Sequence, residues 1–167
     1  MKRAFVAGLL LIAGIGLVSS ALPGYPYPSV WATVVNVIDG DTIVVSIVGA
    51  DTEGWIVGST ETVSYIGVDA DEQMESFCGA LATQVNYQMT FDRLVYLEFD
   101  ATLRDSEGTV LAYVYLDGGG YSMVNAALVA LGLADPSPME PNTRYDAVFA
   151  RLGALAAELD LGCIREE

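Results

Sequence analysis

Two knots of carboxylates stand where strands are expected to end. Asp39 and Asp41 flank Gly40 between two runs of Val and Ile, and Asp69, Asp71 and Glu72 follow a third such run. Carboxylates gathered in this way suit a hard divalent cation, which takes oxygen ligands from several parts of a chain. The plainer reading of Asp39 and Asp41 is turn chemistry, each carboxylate capping nearby backbone amides. Both readings stand on the sequence, and they differ in whether the second knot is brought to the first.

The elements that must position these groups are legible in outline. Asp39-Gly40 between β-branched runs is a hairpin signal, because glycine tolerates the positive φ that strand-matched turns use. Strands are expected over 30–38, 42–48 and 61–68, with a long glycine-bearing loop over 49–60 in which Trp55 folds back over a sheet edge. A helix is expected over 76–89, where Phe77, Leu81, Val85 and Met89 recur every four residues. Two more strands follow over 94–99 and 110–116, then a helix from Met123 to Leu131 stopped by Gly132. After the proline-rich loop 135–141, Asn142 is placed to cap a third helix, in which Tyr145, Val148, Phe149, Leu152, Leu155, Ala156 and Leu159 read as one core stripe. Tyr113 and Tyr115 admit a base-stacking platform or a core role, and alternation favours core for at least part of the pair. Trp31 and Trp55 read as packing residues. Five strands with a helix after the third is the order of an OB barrel.

Composition sets the context. The 167 residues are 53% hydrophobic, ample for one self-supporting domain. Residues 1–21 read as a signal peptide: Lys2 and Arg3 precede a short apolar run that ends in small residues. Residues 22–29 read as a proline-rich tether, and 30–167 as the folded domain, secreted or extracytoplasmic and monomeric. Without the leader the chain loses two basic residues and no acids, so its net charge goes from −15 to −17 and its basic residues are all arginine. Such a surface repels phosphate backbones, which are bound through lysine and arginine. A saline medium would weaken that repulsion, the Debye length shrinking to about 3 Å at 1 M salt. Cys78 and Cys163 are expected to form a disulfide, as cysteine pairs in exported chains usually do.

Several blocks resemble the staphylococcal nuclease-like, or thermonuclease, family: Val37-Ile38-Asp39-Gly40-Asp41-Thr42, Tyr65-Ile66-Gly67-Val68-Asp69-Ala70 with Glu72, Phe77-Cys78-Gly79-Ala80-Leu81-Ala82, Leu111-Ala112-Tyr113-Val114-Tyr115, and Pro141-Asn142. The resemblance implies an α+β, mainly β fold: a five-stranded OB-type Greek-key barrel with three helices. It also implies a calcium-dependent endonuclease acting on DNA and RNA. The family's calcium ligands carry over onto Asp41 and Asp69, with Asp39 close by, and its catalytic glutamate onto Glu72. The two arginines that stabilise the reacting phosphoryl group do not carry over, because Ser64 and Thr109 stand in their positions. Ser106 and Glu107 likewise stand where the family holds its nucleotide. The resemblance therefore points to a catalytically degenerate module with a weak calcium site, or to a phosphodiesterase whose cation has moved, with Arg104 as the substitute. The plainer reading of Arg104 is a surface arginine paired with Asp100 or Asp105.

Overall fold

The computed structural model describes residues 29–70, 76–118 and 120–163. The expected leader, the tether up to Pro28, Asp71 and Glu72 lie outside the described residues. Strands β1 (Ser29–Val37), β2 (Thr42–Ala50), β3 (Thr60–Tyr65), β5 (Leu94–Glu98) and β6 (Val110–Tyr115) close a barrel in the order β1-β2-β3-β6-β5. The β3–β6 contact is parallel and the others are antiparallel. A two-residue pair, β4 (Val68–Asp69) with β7 (Asp135–Pro136), lies outside it. Helices α1 (Phe77–Thr90), α2 (Val124–Ala130) and α3 (Asp146–Glu158) complete an α+β, mainly β, OB-type fold. No helix among the described residues is long and apolar enough to cross a membrane.

Alternation builds the barrel. On β2, Ile43, Val45 and Ile47 are buried while Thr42, Val44 and Ser46 are partly exposed, the period of two that a one-sided strand requires. Strand β1 serves two neighbours and carries register shifts at Trp31/Ala32 and Val34/Asn36, irregularities that bend a strand enough to close a sheet. Strand β6 is buried along its whole length, so Tyr113 and Tyr115 are both core residues rather than a stacking platform. Trp55 stacks on Phe99 with ring centroids 5.3 Å apart, and Trp31 packs beside Tyr96.

Three elements depart from the sequence expectation. The third strand does not run on to residue 68. It turns at Gly67, whose φ of 79° suits glycine, and delivers Val68 and Asp69 to β7. Helix α1 starts where expected, with the Ser76 hydroxyl accepting from the Gly79 amide at 2.9 Å. Its buried seam, however, is Gly79, Ala82, Asn86 and Thr90; Phe77 is 79% exposed, and Leu81, Val85 and Met89 only flank the core. Helix α3 starts at Asp146, not beside Asn142. Asn142 is instead buried in a reciprocal bond with Thr102: its Oδ1 accepts the Thr102 amide and its Nδ2 donates to the Thr102 carbonyl. The stripe on α3 is also two faces. Phe149 and Ala156 are buried, while Val148, Leu155 and Leu159 are 46%, 49% and 56% exposed. Seven apolar positions cover more of a helix than one contact surface can hide.

Candidate metal centre

The hairpin turn holds the first two carboxylates. The Ile38 amide donates to the Thr42 carbonyl at 2.9 Å, and the Asp41 amide donates to Asp39 Oδ1 at 3.1 Å. Turn capping is therefore real. It is not the whole of it, because Asp41 Oδ2 accepts the Ala70 amide at 2.8 Å, 29 residues away in sequence. That bond ties the hairpin to the second knot, one residue beyond Asp69. The close approach depends on Gly40, where an added Cβ would lie 2.5 Å from Ala70 Cβ and 2.8 Å from Ala82 Cβ. Asp69 itself is exposed at the end of β4, directly opposite Asp135.

Among the described residues no cation compensates the charge of this site. Burial, with the Asp39 charge adding to it, pushes the Asp41 carboxyl up to about 6, while the Ala70 amide pulls the other way. None of the described arginines pairs with Asp39, Asp41 or Asp69. In donor chemistry Asp39 and Asp41 fit a hard cation, and Asp69 is carried to the neighbouring bond. No group of three metal-binding side chains is assembled among the described residues.

Because the folded form of Asp41 holds its proton more tightly than an ordinary carboxylate, its contribution to stability is complete below about pH 4. It is lost as pH rises through 6. In chelator the loss should approach roughly 3 kcal/mol by pH 7. Asp41→Asn keeps an oxygen for the Ala70 amide and carries no charge, so its stability advantage over the parent should widen between pH 4 and pH 7 in paired urea melts. A constant difference would show that Asp41 ionises as freely folded as unfolded.

The positions of the absent arginines are well defined. Val63 and Tyr65 point into the core, so Ser64 faces outward, opposite Thr42 of β2 and Leu111 of β6. Two residues before Leu111, Thr109 has the same outward parity. The Tyr65 amide donates to the Asp41 carbonyl at 3.0 Å, so residue 64 lies beside the acidic turn. Arg104 has the opposite parity. It pairs with Val110, which pairs with the inward Val63, and two residues back along β3 stands Glu61. Arg104 is held there by two bonds to Glu61, at 2.8 and 3.0 Å, and one to the Gly108 carbonyl at 2.8 Å, with its guanidinium 5.5 Å from the Trp55 ring centroid. The partner expected from sequence, Asp100 or Asp105, is thus corrected to Glu61. Asp105 caps the Glu107 and Thr109 amides, and Asp100 binds Arg144 and the Tyr113 hydroxyl.

Among the described residues, buried polar centres at Glu98, Asn86 and Asn125 escaped the sequence reading. Glu98 is fully buried with Arg144 and the Tyr145 hydroxyl around it. Asn86 is fully buried on α1 and reaches the acidic turn, its Nδ2 donating to the Asp39 carbonyl at 3.0 Å. The available signal was an asparagine in mid-helix, a position where that residue is neutral to unfavourable unless its side chain has a partner.

A family model described as Staphylococcal nuclease homologue matches residues 62–162, well over half of the 167. The chain is 34% identical over 115 residues to the Thermonuclease of Staphylococcus intermedius, covering 66% of this chain and 61% of that protein. It is 35% identical over 149 residues to Endonuclease YncB of Bacillus subtilis (strain 168), covering 82% and 64%. With the SPbeta prophage-derived endonuclease YokF of the same organism it shares 34% over 126 residues, covering 71% and 38%. The chain therefore spans less than two thirds of the length of each of these relatives. A family model that matches more than half of the chain, with relatives at 34% and 35% identity, shows that the chain belongs to the staphylococcal nuclease homologue family.

Proposed function

We propose that this chain is an exported nuclease-fold module that has lost efficient phosphodiester hydrolysis and keeps a weak calcium site at Asp39, Asp41 and Asp69. The observation that carries the reading is the opposed parity of Arg104 and residues 64 and 109. Arg104 is committed to Glu61 on the other face of the sheet, so the outward face has Ser64 beside Asp41 and Thr109 farther along where charge would be needed. Calcium, when bound, would supply electrostatic polarisation of a phosphoryl oxygen. The chain's own part is to present carboxylates from the hairpin and from the end of β4, and Glu72 occupies the family position for orienting a water. The charge that builds during phosphoryl transfer would have no arginine at residue 64 or 109 to meet it, and such donors carry much of the catalysis. Export agrees with the disulfide and with the leader expected over 1–21. The alternative, a working phosphodiesterase that uses Arg104, requires that side chain to leave a bidentate carboxylate and cross the sheet.

Calcium titration by calorimetry tests the retained site. The expected result is heat of binding with a millimolar-range dissociation constant and a higher melting temperature in calcium, both lost in Asp41→Ala. No heat and no thermal shift at millimolar calcium, with Asp41→Ala melting like the parent, would leave a module without a cation.

A further inference from the structure

The site's geometry depends on a residue that is neither a carboxylate nor part of either acidic knot. Both carbonyls that bracket Gly40 are held from below. The Asp41 carbonyl accepts the Tyr65 amide at 3.0 Å, and the Asp39 carbonyl accepts Asn86 Nδ2 at 3.0 Å. The same two residues join each other, the Tyr65 hydroxyl donating to Asn86 Oδ1 at 2.9 Å. A carbonyl can only accept, so the bond to Asp39 fixes which way the Asn86 amide faces. Thr90 adds a hydroxyl bond to the Asn86 carbonyl at 2.8 Å and a longer one to Oδ1 at 3.4 Å. Asn86 and Tyr65 are fully buried. The result is a closed circuit from turn to strand to helix and back to the turn. Ala82, one helical turn before Asn86, closes on Gly40 from the same helix.

A buried polar pair is a poor device for stability alone, because an apolar pair of similar shape is often as good. Its merit is that it accepts only one arrangement. We infer that Asn86 is a positioning residue for the acidic turn, fixing Asp39 and Asp41 in the geometry that the cation pocket uses. This rests on the calcium reading above only in its last clause; the fixing of the turn stands without it.

The test separates the two. Tyr65→Phe removes the hydroxyl but leaves Asn86 bonded to Asp39 and to Thr90. Tyr65→Phe with Asn86→Leu replaces the pair by apolar groups, the Thr90 hydroxyl keeps the backbone carbonyl of residue 86, and the carbonyl of the partly exposed Asp39 passes to water, so folding is preserved. Amide hydrogen exchange is read without metal at Asp41 and Ala70, together with the calcium dissociation constant and the urea midpoint. Tyr65→Phe should behave like the parent. The double variant should keep a near-parental midpoint, exchange the two amides at least about tenfold faster and bind calcium about tenfold more weakly. Parental exchange rates in the double variant would overturn the inference, and so would faster exchange with unchanged calcium affinity. Faster exchange in a protein whose parent binds no calcium would support the positioning of the turn and overturn the cation reading instead.

Discussion

Arginine placed at both 64 and 109 should raise phosphodiester hydrolysis in calcium by at least about a hundredfold over the parent, since one charge-stabilising donor is typically worth 10²–10³ in rate. The argument is one of parity and register. Ser64 faces outward beside Thr42, next to the turn whose Asp41 reaches Ala70, and Thr109 shares that face two residues before Leu111, the cross-strand neighbour of Ser64, within reach of a long side chain. The rate should remain well below that of a competent family member. Ser106 and Glu107 carry no positive charge for a nucleotide's phosphates, and a net charge of −15 slows the approach of a polyanion. In the double variant, Glu72→Gln should abolish the gain. Hydrolysis by the parent, Ser64→Arg with Thr109→Arg, and the triple variant is the measurement. No increase in the double variant would show that the absent arginines are not what limits the site.

Replacing both cysteines by serine should lower the folding free energy by roughly 4 to 5 kcal/mol, the chain-entropy expectation for a loop of this length. Cys78 lies in the first turn of α1 and Cys163 follows α3, with Cα atoms 5.5 Å apart at a sequence separation of 85. Total stability for a domain of this size is of order 5 to 15 kcal/mol. The tail keeps some hold without the bridge, because the Cys163 amide donates to the Gly132 carbonyl at 2.9 Å and Gly162 is seated against residues 131 and 132. Urea melts of the parent and of Cys78→Ser with Cys163→Ser decide it. A loss under 1 kcal/mol would mean that the tail is held by these backbone contacts and not by the bridge.

How far the sequence could be read depends on what each feature rests on. The barrel strands were legible because β-branched alternation is a local property, and the hairpin because Asp39-Gly40 stands between two such runs, although Gly40 is required by its close approach to Ala70 and Ala82 and not by the positive φ expected of it. The seam of α1 was not. Periodicity weighs large aliphatic side chains, whereas a helix that comes close to a turn meets it through Gly79, Ala82 and Asn86. Helix α3 misled in the other direction, with more apolar positions than its contacts with α2 and β7 can bury. The partner of Arg104 lies 43 residues away on β3, and cross-strand register is fixed only when the sheet closes. Asp69 was picked out by chemistry, but its delivery beside the hairpin depends on the turn at Gly67.

The central claim is that the acidic half of a nuclease site survives here without the cationic half. The rate of DNA hydrolysis by the unaltered protein in millimolar calcium, on single-stranded and double-stranded substrate at low and at molar salt, tests it most directly. The account predicts at most a trace of cleavage over the metal-only background under any of these conditions, and no change on Arg104→Ala. Brisk cleavage by the parent that disappears with Arg104→Ala would contradict it and establish an enzyme that has moved its cation to the opposite face of the sheet.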